Sequence, residues 1–357
     1  LSFQSLMRIR NDFPGYSGAG IRMTTHNSGD PRDPAKMYSI PLGMAGRACG
    51  LRTNSLRLAE LAKEFFGTSA DERPLCPQAN LVLMARGRRL ADLSSSAFPV
   101  FRGRGRYVHA DYGRDGSIWF DLKAREVLGV FSYSLFADGE FFRRTVLAVI
   151  AGVLAPSLGV LALHAGCVVR EGKGILLAAP SGTGKSTLAL ALAKRGWNLL
   201  SDEWTFAAAE PRGVCTWGMK TSLKLLPDAV RFFPELSRLA PEKALNGELS
   251  FEFEPQKVFG VSRALHAAPA AIVHLERNQA RGSAQACEVT RWDAERTMTS
   301  LLSEIEQQPE EADDSGNFRA ELMQQLCALP SIHVRFKGQP AAVAAEMDPI
   351  LTELACA

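Results

Sequence analysis

Paired cysteines are missing from this chain. Its seven cysteines, at positions 49, 76, 167, 215, 287, 327 and 356, are scattered, and no two stand at CxxC spacing. A zinc cluster or a disulfide framework is therefore not what organises the fold, and an odd, dispersed set fits buried thiols in a reducing cytoplasm. Net charge is also scarce. The 41 Lys and Arg against 38 Asp and Glu leave +3, too little to imply a nucleic-acid or membrane surface. There is no helix-turn-helix signal. Long uninterrupted apolar runs are lacking too. The stretch "TVLAVIAGVLAPSLGVLALHAG" (145–166) contains Pro156, and a small-residue helix next to a buried strand accounts for it without a membrane span. No basic segment followed by an apolar run opens the sequence, so no secretory signal is expected. No internal repeat is visible.

What is present is an ordinary globular composition. The 357 residues are 46% hydrophobic and 22% charged, enough for one large domain or two medium ones with real cores. Two charged regions stand out. Arg86, Arg88, Arg89, Arg102, Arg104 and Arg106 form a basic one, and Glu304, Glu306, Glu310, Glu311, Asp313 and Asp314 an acidic one. Solvated loops and helix faces account for both. Residues 1–36 are polar and rich in Gly, Asp and Pro and read as a flexible segment. Residues 37–158 read as an N-terminal α+β region. It has strands in "ANLVLMARG", "GRYVHADYG" and "GSIWFDLKAREVLGVFSYS", a helix over 56–67 stopped by Gly67, and a helix over 138–157. Residues 159–357 form the second domain, with strands at 270–278 and 331–338 and helices at about 292–306, 318–328 and 340–355.

Chemistry concentrates at the start of that second domain. "LALHAGCVVREGKGILLAAP" (161–180) places two strands around the turn "EGKG" and leads directly into "APSGTGKS" (179–186). This octapeptide fits the A/G-x-x-x-x-G-K-[ST] form of the P-loop. Gly182 and Gly184 let backbone N–H groups converge on phosphate oxygens, and the dipole of the following helix adds to them. Ser181, Thr183 and Thr187 complete the candidate nucleotide-binding set. Lys185 places a point charge on the β- and γ-phosphates, and the Ser186 hydroxyl ligates Mg²⁺. The context required of the motif is met: an apolar strand precedes it, and the sequence predicts an amphipathic helix over 185–195, capped by Gly196. The next strand, 197–203, ends on Asp202-Glu203, only 17 residues after Lys185. The sequence predicts that this strand lies beside the one feeding the loop, with its end at the same edge. A carboxylate there holds Mg²⁺ or takes a proton from an incoming hydroxyl. Neighbours on a strand face opposite ways, so both acids reach one site only if the strand stops there. The plainer alternative is that they merely cap a strand.

Together these residues resemble the HPr kinase/phosphorylase family. The resemblance is carried by "LHAGCVVREGKGILLAAPSGTGKSTLALALAKRGWNLLSDEW", 42 residues from Leu163. It comprises a His-bearing strand (His164), a hairpin, the P-loop, a helix ending in Arg195-Gly196 and a strand ending in two acids. The resemblance implies an α/β P-loop kinase domain akin to phosphoenolpyruvate carboxykinase, which moves the γ-phosphoryl group of Mg-ATP to a serine hydroxyl. It implies Asp202 as the base, Glu203 as its assistant or a metal ligand, and His164 beside the acceptor serine. The chain departs from the family in carrying Ala179-Pro180 at the loop's start, Glu203 where Asp is usual, and no later glycine-rich signature. It looks more like divergent relatives of the family, some of which phosphorylate a serine near the end of a ribosomally made peptide, as lasso-peptide tailoring kinases do. The implied partner is a peptide or protein with an acceptor serine. Homo-oligomerisation stays open.

Three readings compete at this level: a serine kinase for a peptide or protein, a small-molecule kinase such as one for free serine, and a nucleotide-binding regulator without phosphotransfer. His164 also reads as a core-edge histidine bonded to backbone. Lys220 and Lys224 are candidates for phosphate or substrate contact, or else solvated lysines. Arg277 is placed to reach the site's edge. Arg231, Arg238 and Lys243 lie on a polar segment, 228–247, read as a mobile lid.

Overall fold

Alternating apolar and polar side chains in the described residues of 38–132 produce seven strands, most of them burying one face. They are β1 (Tyr38–Met44), β2 (Arg47–Thr53), β3 (Ala79–Arg86), β4 (Val100–Arg104), β5 (Tyr107–Asp111), β6 (Gly116–Asp121) and β7 (Glu126–Ser132), in the order β1-β2-β3-β7-β6-β5-β4. The computed structural model describes residues 37–67, 77–86, 99–219, 221–243, 248–278, 286–304 and 316–356. The N-terminal segment 1–36, the acidic stretch 305–315, Arg88, Arg89 and Lys220 lie outside them.

Two helices cover this first sheet. Helix α1 (Leu56–Phe66) starts at Ser55, whose side chain accepts from the Leu58 N–H, and stops at Gly67, whose N–H returns to the Lys63 carbonyl. Its Leu58, Leu61, Ala62 and Phe65 are buried. The helical run α2 (Gly139–Leu158) opens on Asp138, which accepts from the Glu140 and Phe141 N–H groups. Phe142 of α2 meets Phe131 of β7 edge-on at 5.2 Å. This run is long and apolar enough to cross a membrane, and 72% of its apolar window is buried, as in a core helix. The division of the chain into two compact units falls at its end, between Leu158 and Gly159.

The second unit is built on a larger sheet. Its strands are β8 (Val160–Leu163), β9 (Ala165–Arg170), β10 (Lys173–Ala178), β11 (Asn198–Ser201), β12 (Thr205–Glu210), β13 (Gly213–Gly218), β17 (His266–Arg277), β18 (Cys287–Trp292) and β19 (Ser331–Phe336). The order is β11-β9-β10-β17-β13-β12-β8, with β19 on β17 and β18 on β19. The expected hairpin is there: β9 and β10 pair antiparallel around Glu171-Gly172, both at positive φ. The long strand β17 joins two halves. It pairs β13 at His266 and Ala267, then β10 and β19 further along. A small sheet, β14 (Leu223–Leu225), β16 (Leu249–Phe253) and β15 (Glu242–Lys243), stands apart. Strands β13 and β14, near each other in sequence, thus belong to different sheets.

Helix α3 (Lys185–Ala193) departs from the amphipathic expectation. Leu188, Ala189, Leu190, Ala191, Leu192 and Ala193 are all buried. The cause is a second cover: α3 packs on β9 and β10 on one side and on the C-terminal helix Pro340–Cys356 on the other. A helix covered on both sides has no solvent face to keep polar. Segment 228–243 also differs from the polar lid expected of it. It forms two short 3₁₀ turns, Pro227–Arg231 and Pro234–Arg238, and Ala229, Phe233 and Leu236 insert into the core beside α3.

Candidate functional site

The site begins where β10 ends. Its last residues, Ile175 to Ala178, are fully buried between layers, and the chain then turns through 179–184 into α3. Gly182 (φ 82°) and Gly184 (φ 110°) take left-handed conformations that residues with a Cβ rarely adopt. Gly184 is the N-cap of α3 and has no side chain to satisfy the first turn. At α1 the Ser55 hydroxyl does that work, so the N–H groups at the start of α3 are the kind that bind an external acceptor. Lys185 is buried, and its ammonium folds back to donate to the Ala179 carbonyl.

Two breaks in the sheet supply the rest. Strand β8 pairs β12, and after His164 the chain continues as β9, which pairs β10 and β11. Strand β11 pairs β9, and after residues 202–204 the chain continues as β12, which pairs β8 and β13. Both segments thus change partners at the same level. The Thr205 hydroxyl locks them together by donating to the Ala165 carbonyl at 2.7 Å, and the Ser201 hydroxyl lies 2.5 Å from Thr205 Oγ1. His164 and Trp204, one from each break, have ring centroids 5.4 Å apart.

This geometry corrects two expectations. Strand β11 stops at Ser201, so Asp202 and Glu203 lie in a bend beyond it and not on the strand. The alternation of strand neighbours therefore does not separate them, and both line one cavity. Nor is β11 the neighbour of β10: the antiparallel strand β9 lies between them. Strands β10 and β11 still run the same way, each antiparallel to β9, so the acids and the glycine loop end at one edge.

The cavity they share measures about 240 Å³. Ser181, Gly182, Gly184, Lys185, Ser186 and Thr187 line it from the loop and the first turn of α3. His164, Asp202 and Glu203 line it from the breaks. Thr183 is not on the cavity wall; its N–H bonds to the Pro180 carbonyl. Lys224 and Arg277 also line the cavity, whereas Arg231, Arg238 and Lys243 do not. The segment read as a lid contributes Asp228, Ala229 and Phe232 to the wall.

Burial dominates the electrostatics. It pushes the Asp202 carboxyl up to about 6, and the neighbouring Glu203 charge pushes the same way. The Arg263 charge and the backbone N–H groups of Lys224 and Asp202 oppose the rise. Arg263 itself pairs with Glu254 at 2.9 Å and donates to the Thr221 carbonyl. A carboxyl in that range exchanges a proton near neutrality, as a general base must. Sequence reading missed Asp228 and Glu248, which line the cavity, and Arg263, whose charge acts on Asp202; they come from separate stretches and carry no motif. Among the described residues, no three His, Cys, Asp or Glu side chains gather into a metal site of their own. A cation here would be shared between the Ser186 hydroxyl, the Asp202–Glu203 pair and oxygens of a bound ligand, which is the donor set a hard cation such as Mg²⁺ takes.

No protein-family model matches the chain, and no curated protein matches it. Among solved structures, the Hpr(Ser) kinase/phosphatase from Coxiella burnetii overlaps it with a TM-score of 0.31 at 13% identity, covering 54% of this chain and 97% of that one. An overlap that slight carries no weight for fold or function. The described residues form a mixed α/β fold with three sheets.

Proposed function

We propose that this protein is a Mg-ATP-dependent kinase of the HPr kinase-like P-loop type, and that it phosphorylates a serine hydroxyl of a peptide or protein. One observation carries the reading: the uncapped glycine loop with Lys185 and the Asp202–Glu203 pair line a single cavity of about 240 Å³. In this reading the loop N–H groups and Lys185 hold the β- and γ-phosphates, and Ser186 with Asp202 or Glu203 holds Mg²⁺. Asp202 takes the proton of the acceptor hydroxyl. The acceptor oxygen forms a bond to the γ-phosphorus, the bond to the β–γ bridging oxygen breaks, and ADP leaves. His164, held against Trp204, borders the acceptor side. The buried thiols fit a reducing cytoplasm: burial pushes Cys49 and Cys167 up to about 12, which leaves them unreactive.

The test has two parts. Calorimetry with Mg-ATP is expected to show binding by the wild type and none by Lys185→Met. Transfer from γ-labelled ATP to serine-containing peptides is expected to fall by about 10²–10⁴-fold in Asp202→Asn, the size of a lost general base. Undiminished transfer by Asp202→Asn removes it as the base. Labelling of free serine but of no peptide assigns a small-molecule kinase instead.

A further inference from the structure

A second cation reaches this cavity from the side of the acids. Lys224 lies on β14, in a sheet that contains neither the glycine loop nor the acid pair. Its backbone N–H is close enough to the Asp202 carboxyl to act on its charge, which places this stretch of β14 beside the bend. Its side chain lines the same cavity as Lys185 and Ser186 and is mostly covered. The ammonium sits 2.9 Å from Glu248, also on the cavity wall.

The charges around the cavity give that pairing a meaning. Asp202, Glu203, Asp228 and Glu248 face Lys185, Lys224 and Arg277, so the wall is acidic by one charge when all are ionised. A triphosphate entering it needs every cation available. Arg277 ends β17, the strand beside β10, and so flanks the glycine loop on the side away from β9 and β11. Lys185 comes from the loop itself. Lys224 is the cation on the acid side, where the terminal phosphoryl group meets the acceptor. An ammonium held by a surface carboxylate is exchanged at little cost, because a partly exposed ion pair is worth about 1 kcal/mol or less.

We infer that Lys224 contacts the terminal phosphoryl group of the bound nucleotide, leaving Glu248 to do so. This rests on the kinase reading of the cavity and adds to it a residue that distinguishes tri- from diphosphate. The probes are a non-hydrolysable ATP analogue with a nitrogen β–γ bridge and ADP, each with Mg²⁺, titrated calorimetrically into the full chain. No acceptor is needed.

Lys224→Met is expected to bind the analogue about tenfold more weakly than the wild type, the loss of one charge-assisted contact. Its ADP affinity stays unchanged, which also shows the variant is folded. Lys224→Arg restores the preference for the analogue. Glu248→Gln, which removes the competing carboxylate, binds the analogue at least as tightly as the wild type. The inference is overturned if Lys224→Met weakens both nucleotides equally or neither, or if Glu248→Gln weakens the analogue. If the wild type binds neither nucleotide, the kinase reading itself fails and this inference falls with it.

Discussion

The Thr205 hydroxyl donates to the Ala165 carbonyl at 2.7 Å across the two sheet breaks, one of which carries His164 and the other Asp202. With its single hydrogen spent there, Thr205 is the acceptor for Ser201. All of this is buried. Thr205→Val keeps the shape and removes both bonds, leaving the Ala165 carbonyl and the Ser201 hydroxyl with poorer partners. The expected loss is about 1–3 kcal/mol of stability by urea unfolding. The acids and His164 should lose their register with it, so the nucleotide-dependent rise in melting temperature should shrink as well.

Asp202 is expected to cost the protein stability. Its carboxyl rises from 3.8 to about 6 in the fold, chiefly by burial. The sign follows: the folded state binds this proton more tightly than the unfolded chain, so the group's cost is fully present above pH 6 and fades as pH falls towards 4. A shift of that size corresponds to about 3 kcal/mol at most. Asp202→Asn should therefore melt at a higher temperature than the wild type at pH 8 without nucleotide. The gap should narrow at pH 5. A variant that melts lower at pH 8 would show that the carboxylate is stabilised by its neighbours more than burial penalises it.

Local chemistry was legible in the sequence and long-range layering was not. Gly67, the turn at Glu171-Gly172 and the glycine loop act within a few residues of where they are written, and each is found where the sequence places it. The acid pair was legible as a position, but its geometry was not. Where β11 stops is fixed by Thr205 bonding to Ala165, 40 residues away, and by Ser201 bonding to Thr205. Helix α3 looked one-sided because its second cover, Pro340–Cys356, comes 147 residues after it. Lys224 sits on β14 and Glu248 immediately precedes β16, and no local pattern announces that these two strands pair.

Asp348 clasps that C-terminal helix to the loop's own scaffold. It accepts from Arg170 at 2.9 Å, Arg195 at 3.1 Å and the Trp197 indole at 2.8 Å, and Arg170 stacks over Trp197 at 4.3 Å. Burial alone would raise its carboxyl, but the bonds from Trp197 and Arg170 outweigh this and hold it below the usual range. A depressed carboxyl contributes stability above its unfolded value that is lost as pH falls through the folded one. Asp348→Ala should lose about 2–4 kcal/mol at pH 7. As pH falls through the depressed folded value, the difference from the wild type should shrink in acid-unfolding curves.

Gly218 is the sharpest steric prediction. A Cβ there would stand 1.9 Å from the Leu200 carbonyl oxygen, and the obstacle is backbone. Leu200 immediately precedes Ser201 and Asp202, so the only relief is to push β13 and β11 apart. Gly218→Ala is expected to cost several kcal/mol, beyond the usual ~1–3 for overpacking because no side chain can rotate away. If the variant folds at low temperature, nucleotide should raise its melting temperature less than it raises that of Gly50→Ala. Gly50 serves as the control because its nearest obstacles are side-chain atoms of Asn80 and Pro77 at 3.3 and 3.4 Å. Equal rises in the two variants would mean that β11 and the acids hold their place without the close approach at Gly218.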